Sequence, residues 1–415
     1  MHVYFSGIGG AGIGPLSLLA RDCGYAVSGS DLSHSSFIDK LTDANVEIGK
    51  QDGTYLEAVN TTQPIDWLVH TAALPQGHPE LAKAQELGIR ASKRDEFINH
   101  VLTDKKLQLI AVSGTHGKTT TTSMLIWAFH KLNIPISYQV GTNLPWGPSA
   151  KYTETSKYFI YEADEYDRNM LQFQPFLSVI PSLDYDHPDI YPDQGDYFEA
   201  FRQFAAQSGK VITWQSVAKR SNLPNTTGFD DKTDLSALEL PGVQNRHNAY
   251  LVLQTLLELL PEATEDKITA ILNEFPGTER RFEKIANNLY SDYAHHPSEL
   301  KAVVSIAKDL SDKVVVVYQP HQDKRQRSIA KQYKDVFTDV DKVYWLPTYN
   351  PKGRDTQKAL TPEELIQNLD NPEIAEVTEL DDNLKQIIEK DLSEGVLVVA
   401  CSAGDLDAWL RQNFS

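Results

Sequence analysis

The chain has 415 residues, 41% hydrophobic and 23% charged, a composition that forms packed domains and a length beyond one ordinary core, so two or three domains are expected. A formal net charge of -18 opposes a nucleic-acid backbone or an anionic membrane surface as the main partner, leaving anionic small ligands to local positive sites. Two cysteines, Cys23 and Cys401, give neither a disulfide framework nor a thiolate metal site. The start, Met1 to Gly7, lacks a basic segment followed by an apolar one, and no apolar run reaches about 18 residues, so a cytoplasmic chain that is neither exported nor membrane-spanning is expected.

The first elements read as Val3-Tyr4-Phe5 in a strand, a glycine-rich turn from Gly7 to Gly14, and a helix beginning near Pro15. Tyr25 to Asp31 reads as a second strand ending in an acid, Trp67 to Thr71 as another, and Glu80 to Leu87 as a helix. These compose an α/β unit over residues 1–103. A second unit, 104–238, opens on the apolar run Leu107 to Ser113, which feeds a second glycine-rich loop and a helix from Thr119 to Leu132. Tyr158 to Tyr161 and Leu177 to Ile180 are further strands, each followed by acidic residues, as in open sheets whose ligands gather at strand carboxyl ends. Lys219 to Leu240, rich in Asn, Thr, Asp, Ser and Pro, reads as a transition. The third unit, 239–415, begins with Gly242 to Asn248 before a helix from Ala249 to Leu260. It continues with strands at Lys313 to Tyr318, Lys342 to Trp345 and Val396 to Ala400 and helices at Glu299 to Ala307 and Leu380 to Lys390.

The segment Gly114-Thr115-His116-Gly117-Lys118-Thr119-Thr120 has the chemistry of a phosphate loop. Glycines let backbone N–H groups converge, the helix start adds positive potential, Lys118 reaches the terminal phosphates, and the Thr119 hydroxyl suits Mg²⁺. The first glycine of the usual pattern is replaced by Val112, and the bland alternative is a glycine-rich helix start. Glu162, Asp164, Glu165 and Asp167 place four carboxylates behind this loop. His187, in Asp184-Tyr185-Asp186-His187-Pro188-Asp189, either meets a second metal or acyl-phosphate oxygens, or belongs to a hydrogen-bonded turn. The first loop, Gly7-x-Gly9-x-x-Gly12 with Asp31 beyond it, fits a substrate diphosphate, a redox dinucleotide or a purely structural turn; two phosphate-type loops in one chain favour two different phosphorylated ligands. His295 and His296 cannot both present one face, so substrate contact or helix-start packing explains them better than zinc, and Arg280 with Arg281 offers planar forks for phosphate.

In this order, the first glycine loop with Gly29-Ser30-Asp31, the loop Ser113 to Thr122, Glu162-Ala163-Asp164-Glu165, Asp186-His187, Arg280-Arg281-Phe282 and Asp292-Tyr293-Ala294-His295-His296-Pro297 resemble the Mur ligases. They are most similar to the branch that joins UDP-N-acetylmuramate to L-alanine, with Tyr166 similar to the branch that recycles murein peptides. The resemblance implies a three-domain α/β architecture: an N-terminal Rossmann-like UDP-sugar domain, a central P-loop ATPase domain, and a C-terminal Rossmann-like domain that closes on the nucleotide and receives the amine. It implies an ATP-dependent ligase of cell-wall precursor synthesis with Lys118, Glu162 and His187 catalytic, and Mg²⁺ on Thr119, Glu162 and His187. ATP contacts would come from Gly114 to Thr120, Asn245, Asn248, Arg281 and Asp292, and substrate contacts from Gly9, Gly10, Ala11, Gly12, Ser30, Asp31, His295 and His296.

This chain departs from the alanine-adding pattern at Gln244, at Gln322 and Asp323, where that branch has arginine and an aromatic residue, and at Arg354, where it has glutamate. Those changes bear on which amine is recognised, L-alanine or a murein peptide. Outside this class, a nicotinamide oxidoreductase would use the Gly7 loop and Asp31 without ATP, and a UDP-sugar sensor would bind without forming an amide.

Overall fold

The computed structural model describes residues 1–71, 74–75, 77–187, 190–350 and 360–414. The chain divides into a first unit, Met1–Asp234 with Asn248–Glu274, and a second, Leu235–His247 with Phe275–Ser415.

The first unit holds two sheets. In one, β1 (His2–Ser6), β2 (Ala26–Asp31), β3 (Glu47–Lys50), β4 (Trp67–His70) and β5 (Arg90–Lys93) run parallel in the order β3-β2-β1-β4-β5. Val3, Tyr4 and Phe5 are fully buried, as expected of a strand covered on both faces. The strand order reverses beside β1, so the glycine loop that follows β1 lies at the reversal, where open α/β sheets place ligands.

The other sheet comprises β6 (Gln108–Val112), β7 (Ser137–Gln139), β8 (Ala150–Lys151), β9 (Tyr158–Glu162), β10 (Leu177–Ile180), β11 (Val211–Trp214) and β12 (Thr226–Phe229), ordered β12-β11-β10-β6-β9-β7-β8. All its pairings are parallel except that of β7 with β8. Central β6 is flanked by β9 and β10, so the loop after β6 meets the acidic segments that follow both neighbours. The stretch Lys219–Leu240, expected as a transition, holds both β12, paired with β11, and the division between the two units at Asp234 and Leu235. The Thr-Thr-Gly-Phe sequence of β12 is half exposed at a sheet edge, where the burial signal of an inner strand is absent.

In the second unit, β13 (Glu283–Ala286), β14 (Leu289–Asp292), β15 (Val314–Gln319), β16 (Lys342–Trp345), β17 (Ala375–Val377) and β18 (Leu397–Ser402) take the order β13-β14-β18-β15-β16-β17. Only β13 and β14 pair antiparallel. Along β15, Val314, Val316 and Tyr318 enter one core with Tyr333, Phe337 and Trp345, while Val315 and Val317 enter the opposite core with Leu384 and Leu410.

The helix expected from Ala249 begins at Val243. Its first turn is polar and reads as loop, but the Asn245 amide donates to Pro241 O at 2.9 Å and His247 Nδ1 bonds Val243 O at 2.8 Å. Among the described residues no helix is long and apolar enough to cross a membrane. Both cysteines are buried and unbridged.

Candidate active site

At the first glycine loop, the Gly7 and Ile8 N–H groups donate to Ser30 O at 2.8 and 2.9 Å, and the Gly9 N–H donates to Asp31 Oδ2 at 2.8 Å. Asp31, expected as a ligand contact, thus braces the loop. Gly10 and Ala11 are exposed and Gly12 is half-buried. Ser30 is fully buried, and its hydroxyl donates to Glu80 Oε1 at 2.5 Å, so it meets the loop through its carbonyl alone. Glu80 also accepts the hydroxyls of Tyr4, at 2.8 Å, and Ser6. This fully buried carboxylate ties the carboxyl halves of β1 and β2 together beneath the loop. No sequence motif marks it; on a helix among polar residues it reads as a surface acid.

The second loop owes its shape to two glycines. Gly114 has φ +139°, and a Cβ there would stand 2.6 Å from Ser182 O; Gly117 has φ +82°, and its Cβ would stand 2.8 Å from Asn248 Oδ1. Val112 is still in β6, paired with Glu162, which is why the usual first glycine is dispensable. The Thr115 hydroxyl donates to Asp184 O at 2.6 Å and the His116 N–H to Ser182 Oγ at 2.8 Å, fastening the loop to the segment after β10. Helix Lys118–Lys131 then starts directly, with Thr120 half-buried in its first turn.

Lys118 Nζ donates to Gly114 O at 2.7 Å and Glu165 Oε1 at 2.9 Å, with Thr115 O at 3.3 Å. Burial opposes the Lys118 charge, but Glu165, then Asp164 and Glu162, outweigh it and hold its pKa above the usual lysine range. For Glu165, burial favours the neutral acid, yet Lys118 and His187 hold its carboxyl below the usual carboxylate range. Of the four carboxylates behind the loop, Glu165 is therefore the partner of the phosphate-loop lysine. Asp164 lies 3.9 Å from Arg94, and Asp167 pairs with Lys93 at 2.8 Å.

The Thr119 hydroxyl donates to Glu162 Oε1 at 2.9 Å, and Glu162 Oε2 accepts the Gly141 N–H at 3.1 Å. Hydroxyl and carboxylate oxygens are so brought together at the ends of β6 and β9. Among the described residues no three His, Cys, Asp or Glu side chains form a ready cage. The Thr119 hydroxyl and Glu162 carboxylate are hard oxygen donors of the kind Mg²⁺ takes, one or two from protein with phosphates and water completing its shell. His187 stands apart from that pair: its Nε2 is 3.4 Å from Glu165 Oε1, its ring meets Tyr166 edge-on at 5.1 Å, and its backbone has φ +58°. A left-handed non-glycine residue here is held by its surroundings. Pro188 and Asp189 lie outside the described residues. Asn248, on helix Val243–Leu259, touches Gly117; Asn245 lies three residues earlier on the same helix.

In the second unit, Asp292 ends β14 buried, accepting N–H groups from Phe282 and Ala294, both at 2.7 Å. Burial pushes its carboxyl up to about 6, against the pull of Arg281 and those two bonds. The guanidinium of Arg281 lies 5.5 Å from the Tyr293 ring centre, and Arg280 is nearer, at 4.7 Å. His295 Nε2 lies 2.8 Å from Arg325 Nη1, always a donor, so the proton sits on Nδ1 and is given to Tyr293 O at 3.0 Å. Burial, first, keeps this imidazole below the usual histidine range. His296 caps helix Pro297–Leu310, with its ring accepting from the Ser298 N–H in a capping box with Glu299. The two adjacent histidines thus do different jobs. Asp323 is buried and takes the Asn350 amide at 2.7 Å, so this departure from the alanine-adding pattern is an internal brace. Gln322 carries φ +61°. Arg354 lies outside the described residues.

Residues 2–106 match the domain described as Mur ligase family, catalytic domain, residues 112–253 the Mur ligase middle domain, and residues 280–404 the Mur ligase glutamate ligase domain. The chain is 31% identical over 440 residues to the UDP-N-acetylmuramate–L-alanine ligase of Lactobacillus johnsonii, covering 98% of this chain and 96% of that protein. The ligase of the same name from Clostridium novyi is 31% identical over 448 residues, with 97% and 95% covered. Among solved structures, the UDP-N-acetylmuramate–alanine ligase of Thermotoga maritima superposes with a TM-score of 0.79 at 23% identity, over 99% of this chain and 98% of that one. A murein peptide ligase from Psychrobacter arcticus gives 0.67 at 23% identity over the same shares. Both share this fold.

Proposed function

The chain belongs to the Mur ligase family, and from that premise we propose that it joins the lactyl carboxylate of UDP-N-acetylmuramate to the amine of L-alanine, cleaving ATP to ADP and phosphate. The observation that carries this reading is the gathering of the Lys118 ammonium, the Thr119 hydroxyl and the Glu162 carboxylate at the ends of β6 and β9. That is the apparatus of phosphoryl transfer, and the identity across 98% of the chain to an L-alanine ligase supplies the substrates.

A carboxylate oxygen attacks the γ-phosphorus of ATP, the bond to the β-γ bridging oxygen breaks, and an acyl phosphate forms with ADP leaving. Lys118 neutralises charge on the transferring group while the loop amides hold the phosphates. When bound, Mg²⁺ on Thr119 and Glu162, and a second cation near His187, would offset the remaining phosphate charge. The free amine then attacks the acyl carbon, the tetrahedral adduct expels phosphate, and the amine proton passes to solvent or to a neighbouring base. We assign the His295–Arg325 pair to the amino acid, because Arg325 keeps a fixed positive charge beside an imidazole held neutral.

The test offers ATP, Mg²⁺ and UDP-N-acetylmuramate with L-alanine, other amino acids and a murein tripeptide, and identifies the product by mass. The L-alanyl product is expected. Lys118→Ala should abolish acyl-phosphate formation while leaving UDP-sugar binding intact. Parent-like phosphorylation by that variant, or coupling to the peptide alone, overturns the assignment.

A further inference from the structure

The side chains of Lys118 and Glu165 are 16% and 2% exposed, and all three donors of the ammonium are spent on protein. Gly114 O takes one at 2.7 Å, Glu165 Oε1 another at 2.9 Å, and Thr115 O lies at 3.3 Å. Glu165 Oε2 stands 2.8 Å from the same nitrogen, so the lysine of the phosphate loop faces both oxygens of a carboxylate. A phosphate oxygen can take an N–H from Lys118 only in place of one of these acceptors. The long bond to Thr115 O is the weakest of the three, and the carboxylate, a charged acceptor, holds on hardest.

The two partners differ in freedom. Glu165 is fixed through its main chain: its carbonyl accepts the Tyr191 hydroxyl at 2.5 Å and the Arg168 N–H at 3.0 Å. Arg168 in turn has its guanidinium 4.9 Å from the Tyr191 ring centre and donates to Asp196 Oδ2 at 2.5 Å. Lys118 carries its charge on a flexible four-carbon stem. When a phosphate arrives the ammonium can shift, whereas the carboxylate stays, so Glu165 is left as a fixed negative charge behind the nucleotide. With hydrogen bonds of ordinary length on either side of Nζ, carboxylate and phosphate oxygens would stand about 6 Å apart; at an effective dielectric constant of about 20 that repulsion is worth up to about a hundredfold in affinity.

Resting on the ligase function proposed above, we infer that Glu165 is a positioning residue that shares Lys118 with the terminal phosphates of the nucleotide and so sets how tightly the nucleotide, ADP above all, is held. The lysine stays aligned at the loop in the empty site, and the carboxylate behind it weakens the hold on a product that must leave in every cycle. This role is separate from that of Glu162, whose oxygens meet the Thr119 hydroxyl and the Gly141 N–H.

Calorimetric titration of the full chain with ADP and ATP in the presence of Mg²⁺ tests this without turnover. Glu165→Gln, which keeps an oxygen for Lys118 but removes the charge, should bind both nucleotides about tenfold tighter, and rapid-mixing displacement should show ADP leaving more slowly in proportion. UDP affinity, set by a separate loop, should stay within about twofold of the parent. Glu165→Asp, which keeps the charge, should return most of the way to the parent's ADP affinity. A carboxylate that only held Lys118 in place would give the opposite sign, because an amide is the poorer anchor. Parent-like or weaker ADP binding in Glu165→Gln therefore overturns the inference, as does a tightening shared by UDP. If Glu165→Gln does not fold, a structure of the parent with ADP bound decides: Lys118 Nζ is expected within hydrogen-bond distance of both Glu165 and a phosphate oxygen, and a lysine parted from Glu165 overturns the inference. A parent chain that binds neither ADP nor ATP overturns the ligase function itself.

Discussion

Glu165→Ala removes one member of the buried pair beneath the phosphate loop. Lys118 Nζ and Glu165 Oε2 are 2.8 Å apart, with side-chain exposures of 16% and 2%. Deleting one partner of a buried pair costs on the order of 3–5 kcal/mol, because the other charge stays behind in a poor solvent. Lys118 would keep the carbonyls of Gly114 and Thr115 and its slight exposure, so the lower end, about 3 kcal/mol, is expected.

The readout is hydrogen exchange of the buried amides of β6 and β9, whose slowest protons report the opening free energy of this sheet. Combining Glu165→Leu with Lys118→Met exchanges the pair for apolar groups of similar volume and should recover most of the loss, since such swaps are often neutral. The pH window follows from the two shifts. Glu165 is held below its ordinary 4.5, so its contribution is present above that value and fades as pH falls through the folded pKa. Lys118 is held above its ordinary 10.5, so its contribution is present below that value and fades as pH rises through the folded pKa. The defect in Glu165→Ala should hence be constant from about pH 5 to 10. A loss under about 1 kcal/mol at pH 7.5, or a double variant no better than the single, would refute the pairing energetics.

Gly117→Ala puts a side chain at φ +82° with its Cβ 2.8 Å from Asn248 Oδ1; about 1–2 kcal/mol of backbone strain plus the clash should lower the melting temperature and weaken ATP in titration, with UDP affinity unchanged. Asp292 is buried with its carboxyl raised from 3.8 to about 6, so in the parent its contribution is complete at low pH and is lost as pH rises through 6. Asp292→Asn lacks that titration. Relative to the parent, its unfolding free energy should therefore move in the variant's favour by about 2–2.5 kcal/mol between pH 4 and pH 7.5, measured by urea denaturation; a pH-independent difference contradicts the raised carboxyl.

The strands that carry chemistry were readable because each is an apolar run ending abruptly in glycines, acids or a Lys-Thr pair, and burial on both faces leaves no other use for the run. Thr119 and Glu162 are legible for that reason, and with β6 beside β9 their side chains stand 2.9 Å apart. Elements whose signal is relational were not. The edge strand β12 looks like a linker because one side faces solvent, and the first turn of helix Val243–Leu259 looks like a loop because its polar side chains bond back to the preceding turn. Within Glu162–Asp167, spacing could not tell which acid meets lysine; the fold gives Glu162 to Thr119 and Glu165 to Lys118. Glu80 has no local motif at all, since Tyr4, Ser6 and Ser30 lie tens of residues away in sequence.

The Glu80 carboxylate accepts the hydroxyls of Tyr4, Ser6 and Ser30, and the Ser6 oxygen in turn accepts the Gln51 amide at 2.9 Å. Exchanging one alone orphans the rest, whereas exchanging all for apolar groups together need not. Homologous chains should accordingly inherit Glu80 and these three hydroxyl positions jointly, and recombination between relatives that splits Ser30 from Glu80 should yield an unusually high share of insoluble chimeras.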